Sequence, residues 1–137
     1  MNMRLLVAFL ALLIMSGCNR SMAQALHYEP AVVQLSGRLV VEDHYGPPNF
    51  GETPSIDKKE KVPILELDPP ISVSSDEGAN SDSFSNVRRI QLLNSPVLKL
   101  GDLAGHHVSL RGTLSENQSG GNYADVMMSV QEIIPAE

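Results

Sequence analysis

Four histidines, the carboxylates Glu66 and Asp68, the paired Arg88 and Arg89, an acidic tract and a lone cysteine are the side chains in this 137-residue sequence that could carry chemistry. His106-His107 invites a metal reading, but neighbours on a strand point to opposite faces and cannot chelate one ion. His27 and His44 stand at no ligand spacing from them. Glu66 and Asp68 share a face and could pair as acid and base, although alternating charge on the wet face of a strand is the commoner origin of that pattern. The serines lie in polar loops without a G-x-S-x-G elbow, and no Ser-His-Asp order is privileged by spacing. Arg88-Arg89 reads as a solvated pair rather than an anion site. Asp76, Glu77 and Asp82 could meet a basic partner or Ca²⁺, yet they miss the D-x-D-x-D-G order of an EF-hand loop. With no nucleophile, base or metal set assembled, an enzyme is not expected and no cofactor is implied.

One tract keeps a recognition role open. From His44 to Glu52 the sequence runs His-Tyr-Gly-Pro-Pro-Asn-Phe-Gly-Glu, in which Pro47 and Pro48 fix two φ angles, remove two donors and end a strand. They hold Asn49 and Phe50 in a preset loop, with Tyr45 and Phe50 as contact rings. The same prolines also suit a stiff terminator whose rings pack back on the domain, the commoner fate of rare aromatics in a small protein.

Composition narrows the partners. A chain of 137 residues, 42% hydrophobic, has room for one modest core. Sixteen acidic residues stand against ten Lys and Arg, Trp is absent, and Phe and Tyr number three each. Both the electrostatic footprint and the stacking platforms of a nucleic-acid binder are missing.

The N-terminus reads as a signal peptide over residues 1–17: a short basic leader ending at Arg4, an apolar run from Leu5 to Met15, and then Met15-Ser16-Gly17-Cys18. The apolar run is too short to span a bilayer. The segment resembles a bacterial lipobox, although lipoboxes more often have Leu where Met15 stands. That resemblance implies acylation of Cys18, a lipidated tether over 18–27, and a periplasm-facing protein held at a membrane. Cys18 is the single cysteine, so it has no partner for an internal disulfide, and it precedes the folded domain, a poor place for a catalytic thiol. Asn19 follows it; in Gram-negative lipoproteins, lack of Asp there favours the outer membrane. A rival processing site, Ala23-Gln24-Ala25, would release a soluble periplasmic protein from Leu26.

The elements that must position these residues are strands. Val33, Leu35, Leu39 and Val41 fall on one face and Gln34, Ser36 and Arg38 on the other. The pattern returns at Val108, Leu110 and Leu114, and in both stretches a glycine, Gly37 or Gly112, occupies the apolar face. Inward glycines let a strand coil sharply, as a small closed barrel requires. Ile64 to Val73 alternates too, with Pro69-Pro70 forcing a bend or an edge. Val87 to Leu93 is a third strand. Tyr123 to Ile133 is the last, with Val126, Met128 and Val130 in phase after a turn at Ser119 to Asn122. Ser95 and Pro96 can open a short helix that carries Leu98 and Leu103 and stops at Gly105. Glu52 to Lys61 and Ser74 to Ser85 read as long exposed loops. The expected architecture is an all-β domain over 28–137, a five-stranded OB-like Greek-key barrel with one short helix between strands three and four. In that fold the loop after the first strand flanks the usual binding face.

Several segments together resemble DUF4431, a family of small exported bacterial proteins. They are Tyr28-Glu29-Pro30-Ala31-Val32-Val33, Leu35-x-Gly37, Gly46-Pro47-Pro48-Asn49-Phe50, Leu65-x-Leu67-Asp68-x-Pro70-Ile71, and Gly105-x-x-Val108-x-Leu110-x-Gly112-Thr113-Leu114. The resemblance spans Tyr28 to Ile133, implies the same fold and compartment, and brings no assigned activity. Family members often carry a Cys before the Tyr-Glu-Pro segment and another where Ser72 stands, so any family disulfide is lost here. A His-rich turn that members carry before the last strand is replaced by Asn117 to Asn122. The functional expectation is a non-enzymatic envelope lipoprotein that binds a protein or peptide, such as a basic secreted hydrolase or toxin that it neutralises, through Tyr45, Asn49 and Phe50 and through Asp76, Glu77 and Asp82. The alternative is a periplasmic binder of a small ligand or divalent cation that uses the acidic loop.

Overall fold

The computed structural model describes residues 25–93, 100–118 and 123–134. The signal-peptide segment and Cys18 lie outside these residues, as do most of the expected helix start and the Ser119 to Asn122 turn.

Period-two alternation becomes burial as expected. In β2 (Val32–Tyr45), Val33, Leu35, Gly37 and Leu39 are buried, while Gln34, Ser36 and Arg38 face water. β5 (His107–Glu116) buries Val108, Leu110, Gly112 and Leu114, and β6 (Val126–Ile134) buries Val126, Met128 and Val130. β3 (Lys59–Ser74) adds Leu65, Leu67 and Val73, although its expected alternation fails at Ile64, because Val62 to Leu65 are all buried, and β4 (Phe84–Leu93) adds Ile90 and Leu92. These side chains form one continuous core.

The strands close on themselves. β2 pairs with β3 and with β5, β5 with β6, β6 with β4, and β4 with β3. All of these contacts are antiparallel except the short parallel β4–β6 join at Gln91–Leu93 against Met127–Ser129. The protein is therefore an all-β small barrel in OB-like Greek-key order. A sixth strand, β1 (Leu26–His27), lies parallel to Val73 and Ser74, so the sheet begins two residues before the expected domain start at Tyr28. Two residues are too few to show alternation in a sequence. The helix is a single described turn, α1 (Leu100–Leu103), whose Leu103 packs on the core and which ends at Gly105 with φ 82°.

Both inward glycines sit where backbones nearly touch. A β-carbon on Gly37 would collide with the Glu66 carbonyl oxygen of β3, and one on Gly112 with the Ser129 carbonyl oxygen of β6. At Gly37, β2 passes from its β5 partner to its β3 partner: Gly37 pairs with Val108, and Arg38 already faces Glu66. At Gly112 the β5–β6 register shifts by one residue. Pro69-Pro70 coincides with a second break, where β3 loses register with β4 between Glu66 and Ile71. There the strand bends, because neither proline can donate to a ladder.

Candidate functional site

Loop 46–58, between β2 and β3, is built around a buried carboxylate. Asp57 is only 8% exposed, and its oxygens accept backbone N–H groups from Asn49 at 2.8 Å, Gly51 at 2.8 Å and Thr53 at 3.1 Å. Burial pushes the Asp57 carboxyl upward, but the three donors together outweigh it and hold the group below the ordinary carboxylate value. The base of the loop is zipped by Gly46 N–H to Lys58 O at 2.6 Å and Lys58 N–H to Pro47 O at 3.1 Å. Asn49 also donates its side-chain amide to Thr53 Oγ1 at 3.2 Å. These bonds fix the loop's shape from within.

That shape puts Phe50 outward. Phe50 adopts φ 52°, the left-handed region that disfavours a bulky residue, and Gly51 follows at φ 100°. The Phe50 ring is 54% exposed and Ile56, on the same loop, is 61% exposed. The ring does not pack back on the barrel. Asn49 is half-buried and helps to shape the loop.

The root of the loop rests on a second cluster. Tyr123 stacks on His44 with ring centroids 4.1 Å apart and donates its hydroxyl to the Tyr45 carbonyl at 3.2 Å. His44 Nε2 lies 2.7 Å from Glu42 Oε2, and Arg89 reaches the other oxygen of that carboxylate at 2.6 Å. The hydrogen bond from His44, aided by Arg89 and opposed by burial, holds the Glu42 carboxyl low. The Tyr45 ring is half-buried beneath the Lys59 ammonium, 5.7 Å from its centroid.

The acidic residues stand elsewhere. Loop 75–83 leaves β3 at the end opposite to loop 46–58, so Asp76, Glu77 and Asp82 do not join Tyr45, Asn49 and Phe50 in one site. All three acidic side chains are exposed. Asp76 lies 3.4 Å from His27 Nδ1. Asp82 contributes its backbone, accepting from the Tyr28 hydroxyl at 2.9 Å and donating to Glu116 at 3.1 Å. Burial, with the nearby charges of Glu116, Asp82 and Asp125, pushes the Tyr28 phenol up to about 12. His106 and His107 are both exposed, and among the described residues no three His, Cys, Asp or Glu side chains gather around a possible metal.

Comparison with family models, curated proteins and solved structures found no match to this chain.

Sequence reasoning missed Asp57 and the His44–Tyr123 stack. Asp57 sits in a mixed-charge stretch with no period, and only the turn geometry of residues 49–53 turns three amides toward it. The stack joins residues 79 positions apart, and neither strand's alternation marks it.

Proposed function

We propose that this protein is a non-enzymatic binding module of the bacterial cell envelope, anchored at the outer membrane through lipidated Cys18 and presenting loop 46–58 to a protein or peptide partner. Membership of DUF4431, proposed on the motifs quoted above, is compatible with this role and supplies no activity. The observation that carries the reading is Phe50: a large apolar ring, exposed and in a strained backbone conformation, on a loop whose carboxylate clasp leaves it little freedom to fold away. A preorganised aromatic at a loop tip loses little entropy on binding and makes an efficient anchor. Ile56 extends the apolar surface beside it. The acidic excess of the chain and the exposed Asp76 and Glu77 favour a partner with basic groups.

The test is Phe50→Ala. Capture of the partner from envelope extracts should fall, while the melting temperature moves by no more than a few degrees, because the ring is not in the core. Unchanged capture, or a large loss of thermal stability, would contradict the proposal.

A further inference from the structure

We propose that the barrel has a second interaction surface, which shares Arg89 and Tyr123 with the support beneath the Phe50 loop: a groove along the free edge of β4 that accepts an extended peptide segment bearing an acidic side chain. The groove has a volume of ≈ 470 Å³, and one wall is formed by consecutive strand residues, Phe84 to Arg89. The other wall is Tyr123, Ala124 and Asp125, the segment that leads into β6. The parallel β4–β6 join covers only Gln91–Leu93, so upstream of it the two chains diverge and the groove opens between them. On its other side β4 is paired with β3. Among the described residues, the Phe84–Arg89 edge that faces the groove has no ladder partner.

Unpaired strand N–H and C=O groups are best satisfied by another extended backbone, as in strand addition. The far wall is braced to leave room for one. Asn117 holds the carbonyls of Asp125 and Ala124 at 2.9 Å and 2.7 Å, and the Tyr123 N–H is tied to Gln91 Oε1 at 3.1 Å where the chains part. Six strand residues offer about 20 Å of edge. The Asn86 bulge, φ 55°, lies within it, and opposite Val87 to Arg89 the paired β3 loses register, so the exposed edge is set by β4 alone.

Charge decides the occupant. Arg89 is already neutralised by Glu42. Arg88 is exposed, lines the groove, and has no ion pair among the described residues. Glu66 and Asp68 share an adjoining groove with Arg88, and Asp125 stands on the far wall. An acidic side chain on an added strand would sit beside Arg88 on the β4 wall, as a cross-strand pair. Pairing with the same edge of a second copy would bring Arg88 toward its own duplicate, an unfavourable like-charge contact.

The experiment selects a displayed library of random peptides against the purified protein and maps the bound peptides by amide hydrogen exchange. Enriched sequences should be β-branched with Asp or Glu, should protect amides within residues 85–89, and should lose affinity about tenfold for Arg88→Glu. Replacing the peptide acid with Lys should restore binding to Arg88→Glu, which shows that the variant is folded. Enrichment without acid preference, protection confined to loop 46–58, absence of enrichment, or protection of β4 by self-association alone would each overturn the proposal. Protection confined to loop 46–58 would overturn it while leaving the Phe50 reading standing.

Discussion

Replacing Gly112 with alanine should cost the barrel its closure. In most strands a Gly→Ala change stabilises a protein slightly by restricting the unfolded chain, by about 0.4–1 kcal/mol where the backbone permits it. At Gly112 the new methyl meets the carbonyl oxygen and carbon of Ser129 and the α-carbon of Val130, all backbone atoms of the paired strand. No rotamer change can relieve that contact, so β6 must shift away from β5, and with it the buried Val126, Met128 and Val130. Overpacking of this kind costs typically 1–3 kcal/mol, and a backbone neighbour places the change toward the upper end. For a domain of about 100 residues each kcal/mol is worth about 4–8 °C, so a fall of about 10–20 °C is expected in calorimetry. Gly37→Ala, against the Glu66 carbonyl, should behave alike. Thr113→Val, on the outward face between Gly112 and Leu114, should be nearly silent. Equal melting of Gly112→Ala and Thr113→Val, or a rise for the former, would refute the inference that close backbone approach at these glycines sets the barrel's curvature.

Asp57→Asn should loosen loop 46–58, seen as faster hydrogen exchange at Gly51 and Thr53 with the core amides unchanged; uniform exchange in both proteins would contradict the clasp. Because the folded Asp57 carboxyl lies below its ordinary value of 3.8, its contribution is complete above that pH and is lost as pH falls through the folded value, so wild type should lose its advantage over Asp57→Asn only under acid. Tyr28 has the opposite sign: its phenol is raised from 10.0 to about 12, so the stability it confers is complete below pH 10 and lost as pH rises toward 12. Alkaline melting of Tyr28→Phe beside wild type should converge in that window. Cys18→Ala should move the protein from the membrane fraction to the soluble periplasm or leave it uncleaved, whereas equal membrane partition with a mature N-terminus at Leu26 would support processing after Ala25.

The barrel was legible because its signals are local. Alternation in β2, β5 and β6 depends on neighbours two residues apart, and the two glycines announce themselves by standing where a large apolar side chain should be. The Pro69-Pro70 bend was legible for the same reason, since a missing N–H is a property of the residue itself. Loop 46–58 was legible only in part. Its prolines foretold a preset loop, but the direction of the Phe50 ring depends on Asp57 collecting amides from residues four to eight positions away. Base rates for aromatics favoured a buried Phe50, and the clasp prevails over them by using the loop's own donors to keep it extended. Whether the acidic residues and that loop share one surface is not a local property. Only topology shows that loop 75–83 leaves the opposite end of β3. The β4 groove could not be read at all, because it exists where two strands distant in sequence part company.

The most direct test of the central claim is site-specific photocrosslinking from position 50 in living cells, with position 118 as an exposed control on the loop after β5. The account predicts a discrete adduct to one envelope protein from position 50, a matching adduct from position 56, loss of both when Asp57→Ala releases the loop, and none from position 118. No adduct from position 50, or the same adducts from position 118, would contradict a recognition role for the clasped loop.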